Sequence, residues 1–336
     1  MYGKNRKEMK ANYILTACLA LLSLASCDKV SPTGILIGST NVDDRVKMSM
    51  YYYDQDIEGN YYYDVSKSES QEYSVLIGSD SHVYDSSIRI DEMFEEAYSY
   101  GDLFVAHCGD LADTQPEMYT VMENSVDYWM SDSVAKTYGP DTEPLDFFPV
   151  VGNHDVTHNG FAYFTTIMGT STYVVNVKVD QSGLRDVHLF LDSASGTMGT
   201  IQLDWIMDRV EDDGLDNIRN FYVYTHTNIF RATSGHIEFA STYPREETYS
   251  LLNWFNSLDG MSKAQNCIVF CGHIHQYDYY RYGGVDYYNL PSMSERNNPA
   301  PGQYLLRLTC HRDGTNSCDL VYMHTSNPKY DPSSEQ

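Results

Sequence analysis

Five apolar runs of the sequence end in side chains that can bind a metal ion. Carboxylates, an amide oxygen and imidazoles together form a mixed oxygen and nitrogen ligand set, which suits Zn, Mn or Fe better than calcium or thiolate-preferring metals. A lone histidine is more often structural than a ligand, so the interpretation depends on the recurrence of the pattern. The motifs are GSDSH with Asp80 and His82, GDLAD with Asp110, GNHD with Asn153 and His154, YTH with His226, and CGHIH with His273 and His275.

The spacing within these motifs favours convergence on one point. Asp80 and His82 are two residues apart, as are His273 and His275, so in an extended chain both members of each pair project from the same face. A glycine precedes most of the motifs, and it allows the backbone to turn sharply and to approach a bound ion closely. The alternative is that these residues simply form polar turns between elements.

The motifs follow strands of a predicted α/β fold. From Tyr73 onward, strand-like runs alternate with helical segments, and Ile90, Met93, Phe94 and Ala97 place one apolar stripe on a helix. Shorter runs near the C-terminus have the tight-turn spacing of antiparallel strands, so mixed sheets are expected. In open α/β sheets ligands bind where strands end, which is where the motifs lie.

The ordered set DxH, GDxxD, GNHD, a single histidine after a strand, and GHxH resembles the calcineurin-like metallophosphoesterase superfamily over residues 73–323. The resemblance implies an α/β four-layer fold, in which helices flank two packed mixed β-sheets. It also implies a phosphoesterase that depends on two divalent metal ions and hydrolyses a phosphomonoester or a phosphodiester with a metal-bridged hydroxide. His154 would be the catalytic residue that assists the leaving group. By the family pattern, Asp80, His82, Asp110 and His275 would hold one ion, and Asp110, Asn153, His226 and His273 the other.

Departures from the family pattern narrow the choice of the subclass that the chain resembles. GDLAD lacks the tyrosine that binds iron in purple acid phosphatases, and GNHD replaces the GNHE of serine/threonine protein phosphatases. The resemblance therefore indicates the broad phosphodiesterase and phosphomonoesterase group, with Mn, Zn or Fe as the metal. Loop residues after the motifs could contact a substrate or could simply be exposed; they are His158, His236, Arg231 and Arg245.

The N-terminus is typical of an exported lipoprotein. Four basic residues precede the apolar run YILTACLALLSLAS, which is too short for a comfortable membrane span. The run ends in Leu-Ala-Ser-Cys, which resembles the lipobox of bacterial lipoproteins, so Cys27 is the predicted lipid anchor. The expected location is the bacterial cell envelope, with the protein anchored to a membrane. The alternative is an ordinary signal peptide that happens to end beside a cysteine.

The charge of the chain bears on its partners. The net charge is −25, and removal of residues 1–26, with four Lys or Arg and one Glu, subtracts +3 and leaves −28. Such an acidic chain is not expected to bind nucleic acid in general, because phosphate backbones attract basic surfaces. A small phosphate ester remains a suitable substrate, since a divalent metal centre can invert the local field. No oligomeric state is predicted.

The predicted domain organisation has three parts. Residues 1–26 form the lipoprotein signal peptide, residues 27–72 an N-terminal tether with a β-hairpin, and residues 73–330 the metallophosphoesterase domain. The hairpin is predicted because YYYD occurs at residues 51–54 and 61–64 on either side of a Gly-Asn turn. Cys310 and Cys318 flank the turn of another predicted hairpin, so a disulfide between them is compatible with export.

Two interpretations without catalysis stand beside the enzyme. One is a lipoprotein binding module that kept the fold, and the other is a scavenger of phosphate or metal. The intact ligand set argues against the first, because a binding module would not need all the metal ligands together with His154. Turnover distinguishes an enzyme from a scavenger, since a scavenger binds its ligand about stoichiometrically and then stops.

Overall fold

The computed structural model describes residues 41–47, 61–68, 70–84, 86–112, 115–168, 170–212, 217–233, 236–239, 253, 266–294 and 303–323. The predicted signal peptide and Cys27 lie outside these residues, so their assignment stays a prediction. Among the described residues, the helices are all too short or too polar to cross a membrane.

Strands and helices alternate along the chain, as predicted. The strands are β1 (Tyr62–Asp64), β2 (Tyr73–Gly78), β3 (Phe104–His107), β4 (Phe147–Pro149), β5 (Tyr173–Lys178), β6 (Arg185–Phe190), β7 (Ile218–Tyr224), β8 (Phe230–Thr233), β9 (His236–Phe239), β10 (Asn266–Cys271), β11 (Asp278–Tyr282), β12 (Val285–Asn289), β13 (Gln303–Cys310) and β14 (Asn316–Tyr322). The helices are α1 (42–47), α2 (Ile88–Tyr100), α3 (Pro116–Trp129), α4 (Asp132–Tyr138), α5 (Gly160–Met168) and α6 (Thr200–Asp212), with a 3₁₀ turn at Thr157–Asn159.

The described strands form two main sheets. One has seven strands in the order β1-β5-β6-β7-β10-β12-β11, and the other has five in the order β14-β13-β2-β3-β4; β8 and β9 form a separate pair. Strands β2, β3 and β4 run parallel, as do β6, β7, β10 and β12. Antiparallel pairs such as β2 with β13 make both sheets mixed, which confirms the sequence prediction.

The two sheets pack face to face between layers of helices. Val75 and Phe104 of the five-stranded sheet share a buried cluster with Val175 and Phe190 of the seven-stranded sheet. On the outer face of the five-stranded sheet, α2 contributes its predicted apolar stripe to a second cluster. Leu203 of α6 belongs to a third cluster, on the outer face of the seven-stranded sheet. The predicted four-layer α/β fold is confirmed.

Part of the predicted tether packs against the domain. β1 pairs in parallel with β5, with Tyr62 opposite Asn176, whereas the other half of the predicted hairpin, residues 51–54, lies outside the described residues. In α1, Arg45 and Val46 are completely buried. A domain boundary at Tyr73 therefore leaves out segments that belong to the same packed body.

The disulfide considered between Cys310 and Cys318 is absent from this structure, in which both are free thiols. In the hairpin of β13 and β14, Cys310 lies opposite Asn316 and Cys318 lies opposite Leu308. The register therefore keeps the two cysteines out of the same cross-strand pair, where their Cβ atoms would be closest.

Candidate metal centre

The predicted ligands lie where parallel strands of both sheets end. Asp80, Asp110 and Asn153 follow β2, β3 and β4, and His226 and His273 follow β7 and β10. Because the sheets are packed face to face, these strand ends can meet at one edge of the domain. The distances between the side chains show that they do.

Four side chains surround one point. This first group consists of Asp80, His82, Asp110 and His275. Their ligand atoms all lie within 4.8 Å of one another. His275 Nε2 is 3.2 Å from Asp80 Oδ1 and 3.4 Å from His82 Nε2, and His82 Nε2 is 3.8 Å from Asp110 Oδ2. The two carboxylates are buried and the two imidazoles are partly exposed. An ion held here would therefore lie against two buried carboxylates on one side and would be accessible to solvent on the side of the two histidines.

Two histidines lie against the amide oxygen of Asn153. This second group consists of Asn153, His226 and His273. His226 Nε2 and His273 Nδ1 each lie 2.9 Å from Asn153 Oδ1. His226 Nε2 also lies 3.3 Å from Asp110 Oδ2. Since the same carboxylate oxygen lies near His82 of the first group, Asp110 stands between the two groups.

The hydrogen bonds of His226 show that the second group needs a positive charge. Its Nδ1 lies 2.8 Å from the carbonyl oxygen of Cys108, which can only accept, so Nδ1 carries a proton. In a neutral imidazole, Nε2 then turns a lone pair towards the oxygens of Asn153 and Asp110, which also accept. Only a further proton or a cation makes this arrangement favourable, and the donor set therefore fits a divalent ion.

The electrostatics of His226 agree with this requirement. Burial by itself lowers the pKa of His226, but the charge and the hydrogen bond of the Asp110 carboxylate offset it and raise the pKa to about 10. A positive charge at this point is therefore strongly favoured. His226 would hold a divalent ion here only after losing the second proton of its imidazole.

The backbone at the ligands is not extended, so the geometric reason given for the two-residue spacing is wrong. Asp80, His82, Asp110, His273 and His275 all have a positive φ, between 42° and 70°. This left-handed conformation is uncommon for residues other than glycine and persists where the surrounding structure enforces it, often at functional sites. Each pair converges through tight turns after a strand and not by projection from one strand face.

Two glycines allow neighbouring loops to approach the ligands more closely than any side chain would permit. A Cβ atom on Gly152 would lie 2.2 Å from both the amide nitrogen and Oδ1 of Asp110. A Cβ atom on Gly272 would lie 2.4 Å from Oδ2 of Asp80. At these positions glycine is required by close approach to a ligand carboxylate.

His154 lies beside the first group. Its ring packs edge-on against the ring of His82, with the centroids 4.7 Å apart, and its backbone nitrogen donates to Asp110 Oδ1 at 2.8 Å. The residue is partly exposed. It is therefore held next to the candidate ligands and is accessible to a substrate.

A buried carboxylate that the sequence analysis did not single out ties two ligand loops together. Asp155 accepts hydrogen bonds from the backbone nitrogens of Leu111 and Gly152, at 3.0 and 2.8 Å, and from the hydroxyl of Tyr119 at 2.7 Å. Burial, together with the charge of Asp110, raises the pKa of Asp155 to about 7. This carboxylate joins the loop after β3 to the GNHD loop after β4. Its position at the end of GNHD is the signal that could have revealed it.

Of the remaining loop candidates, only His158 has a described side chain. His158 is exposed in the 3₁₀ turn after the GNHD loop. Arg231 and His236 belong to β8 and β9, but their side chains are not among those that the structure describes, and Arg245 lies outside the described residues.

Comparison with known families identifies the domain. A family model described as calcineurin-like phosphoesterase matches residues 73–332. The chain belongs to this family. The resemblance predicted from the order of the motifs is thereby confirmed, and every candidate metal ligand of the calcineurin-like phosphoesterase lies within the matched residues.

Solved structures similar to this calcineurin-like phosphoesterase are distant. A dimetal phosphatase from Danio rerio is 11% identical, with 75% of this chain and 99% of that chain covered and a TM-score of 0.46. A purple acid phosphatase from yellow lupin (Lupinus luteus) is 13% identical, with 76% of this chain and 53% of that chain covered and a TM-score of 0.48. A search of curated proteins found no significant match.

Proposed function

We propose that this calcineurin-like phosphoesterase hydrolyses phosphate esters with two divalent metal ions. The observation that carries the proposal is the position of Asp110. One oxygen of its carboxylate lies 3.8 Å from Nε2 of His82 in the first group and 3.3 Å from Nε2 of His226 in the second. A carboxylate shared by both groups would help to hold two ions, as carboxylates do in two-metal hydrolytic sites.

The two groups correspond to the two ligand sets that the family pattern implies, which supports the proposal. When bound, the ions would polarise the phosphoryl oxygens and activate the attacking water. The chain itself sets the geometry, because Asp110 spans both groups and the bond from His226 Nδ1 to the Cys108 carbonyl keeps Nε2 directed at the second. The proposed ligands are Asp80, His82, Asp110 and His275 for one ion, and Asp110, Asn153, His226 and His273 for the other.

His154 is proposed as the catalytic residue that assists the leaving group. Its ring lies against His82 and is partly exposed, so it can approach a substrate bound at the first group. A protonated imidazole there would donate a proton to the departing oxygen or stabilise charge on the phosphoryl group.

The proposed substrate is a small phosphate ester. The chain has a net charge of −25, so its overall field repels large polyanions such as nucleic acids. A phosphate group of low total charge can still bind, because the attraction of two divalent ions acts over the short range of the site.

The first test compares p-nitrophenyl phosphate with bis-p-nitrophenyl phosphate. We expect the full chain to turn over at least one of these esters when loaded with Mn²⁺, Zn²⁺ or Fe²⁺, and neither ester when metal-free. The preferred ester then separates a monoesterase from a diesterase. Product formation that stops at one equivalent per chain would indicate a scavenger, and absence of turnover with two bound ions would reject the enzyme.

We also propose that Cys27 anchors the protein to a bacterial envelope membrane. Support comes from the basic N-terminus, the short apolar run and the Leu-Ala-Ser-Cys sequence at its end. In cells grown with a labelled fatty acid, we expect label on the wild-type chain and on Cys18→Ala, but not on Cys27→Ala. Label that persists in Cys27→Ala would reject the anchor.

A further inference from the structure

Residues 41–47, which precede the region matched by the family model, are built into the domain beside α6. Val42 and Val46 of α1 are 4% and 0% exposed. Asp43 Oδ1 accepts the backbone N–H of Ile201, in the first turn of α6, at 3.4 Å. A Cβ atom on Gly199 would lie 2.2 Å from the same carboxylate oxygen. The loop that leads into α6 is therefore shaped to admit this N-terminal segment.

Arg45 forms a two-point ion pair with Asp192, which is 147 residues further along the chain. Its Nε donates to Oδ2 at 2.7 Å and its Nη2 to Oδ1 at 2.8 Å, and Nη2 also donates to Ser195 Oγ at 3.1 Å. Both charged side chains are 0% exposed. A buried pair is tolerated only when its geometry is well satisfied, so this contact holds the turn at residues 192–195 against α1.

Ser193, the next residue, connects that turn to a candidate ligand. Its Oγ accepts the backbone N–H groups of His226 and Thr227, at 3.0 and 2.9 Å, and lies 2.6 Å from the hydroxyl oxygen of Thr225. The hydroxyl of Thr227 donates to the Ser193 carbonyl at 2.8 Å. The turn after β6 and the turn after β7 therefore form one hydrogen-bonded unit, which carries Asp192 at one end and His226 at the other.

We propose that Arg45 is a positioning residue for the second metal ion and acts through Asp192 and Ser193 on His226. This inference rests on the proposed two-metal function and deepens it, since it makes a segment outside the family domain part of the site. Removing a residue that orients a metal ligand without contacting the ion typically lowers metal affinity by about 10- to 100-fold. Replacing Arg45 should leave the affinity for the first ion unchanged, because the first group contains no residue of the turns after β6 and β7.

Strands β6 and β7 provide a matched control at their amino ends. Asp186, near the start of β6, and Arg219, near the start of β7, form a second buried pair with contacts of 2.9 and 2.6 Å. Their side chains are 0% and 4% exposed. This pair resembles Arg45 and Asp192 in chemistry and burial, but it lies at the amino ends of the strands, away from the metal ligands.

The experiment replaces both members of each pair, so that no unpaired charge is left buried. The test variant is Arg45→Met with Asp192→Asn, and the control is Arg219→Met with Asp186→Asn. In the full chain, Mn²⁺ binding is followed by calorimetry, and the spin coupling of an Mn²⁺ pair by electron paramagnetic resonance. We expect the test variant to bind the second Mn²⁺ about 10- to 100-fold more weakly, with the first Kd within about twofold of wild type. The control should keep both affinities.

Two further variants sharpen the assignment. Arg45→Lys keeps a buried charge but cannot reproduce the two-point contact, so it should shift the second Kd in the same direction by a smaller factor. His226→Ala should abolish binding of the second ion. Adding the Arg45→Met and Asp192→Asn changes to His226→Ala should then leave the Kd of the remaining ion unchanged, because both act on one site.

Three results would overturn the proposal. They are wild-type affinity for both ions in the folded test variant, equal weakening in the control, and binding of only one Mn²⁺ by the wild-type chain. A wild-type chain that binds two Mn²⁺ ions but hydrolyses no ester would instead reject the proposed function, while the comparison of affinities still decides the role of Arg45.

Discussion

Asp110→Asn is expected to lower the turnover of any hydrolysed ester by more than about 10³-fold, since the two ions contribute several kcal/mol to the reaction. The substituted side chain retains an oxygen that can accept the bond from the His154 backbone nitrogen, which is 2.8 Å long in the wild type. It loses the negative charge that faces His82 and His226. Both ions should therefore bind more weakly, and not only one.

The measurement is metal content per chain after gel filtration, together with steady-state rates. Asp102→Asn is the matched control, because it makes the same chemical change in a buried carboxylate just before β3, whereas Asp110 follows that strand. Asp102 accepts hydrogen bonds from Arg307, which keeps Glu96 as a second partner in the variant. Full occupancy of both ions in Asp110→Asn would show that this carboxylate does not join the two groups.

His154→Ala should lower kcat by about 10²- to 10⁴-fold, the range for loss of a general acid, while both ions remain bound. The expected separation of the two effects follows from geometry. The His154 ring lies against His82. Its backbone nitrogen donates to the carboxylate ligand Asp110, and alanine retains that bond. Rates should be compared with metal content in the same preparation.

His158→Asn is the matched control for this prediction. His158 is a histidine that follows the GNHD motif, whereas His154 belongs to the motif, and His158 is exposed and has a φ of 47°. Asparagine tolerates positive φ better than alanine does, so the change should leave the fold intact. Near wild-type turnover is expected in His158→Asn. If His154→Ala instead lost metal and activity in equal proportion, its role would be that of a ligand.

Much of the site was predictable from local patterns. The ligand types, their order and their places after apolar runs were sufficient to indicate the family and a sheet edge as the location. The reason is that carboxyl ends of parallel strands meet at one edge, so strand-end residues far apart in the chain become neighbours. The apolar stripe of α2 was also predictable, because burial of one helix face follows from local periodicity.

The conformation at the ligands was not predictable in this way. The positive φ at Asp80, Asp110 and His273 replaces the extended geometry expected from the spacing. Such strain is stable only because packed neighbours enforce it, including the backbone at Gly152, which lies too close to Asp110 to admit a side chain. Spacing along the chain carries no information about that enforcement.

Contacts between distant residues required the tertiary structure. Arg45 and Asp192 are 147 residues apart, and nothing in the residues around Arg45 distinguishes it from an exposed arginine in a tether. Likewise, Asp155 becomes a support for two loops only when Leu111 and Tyr119 are folded against it. Local propensity determines which elements form, but buried charges obtain their partners from packing, and packing is a property of the whole chain.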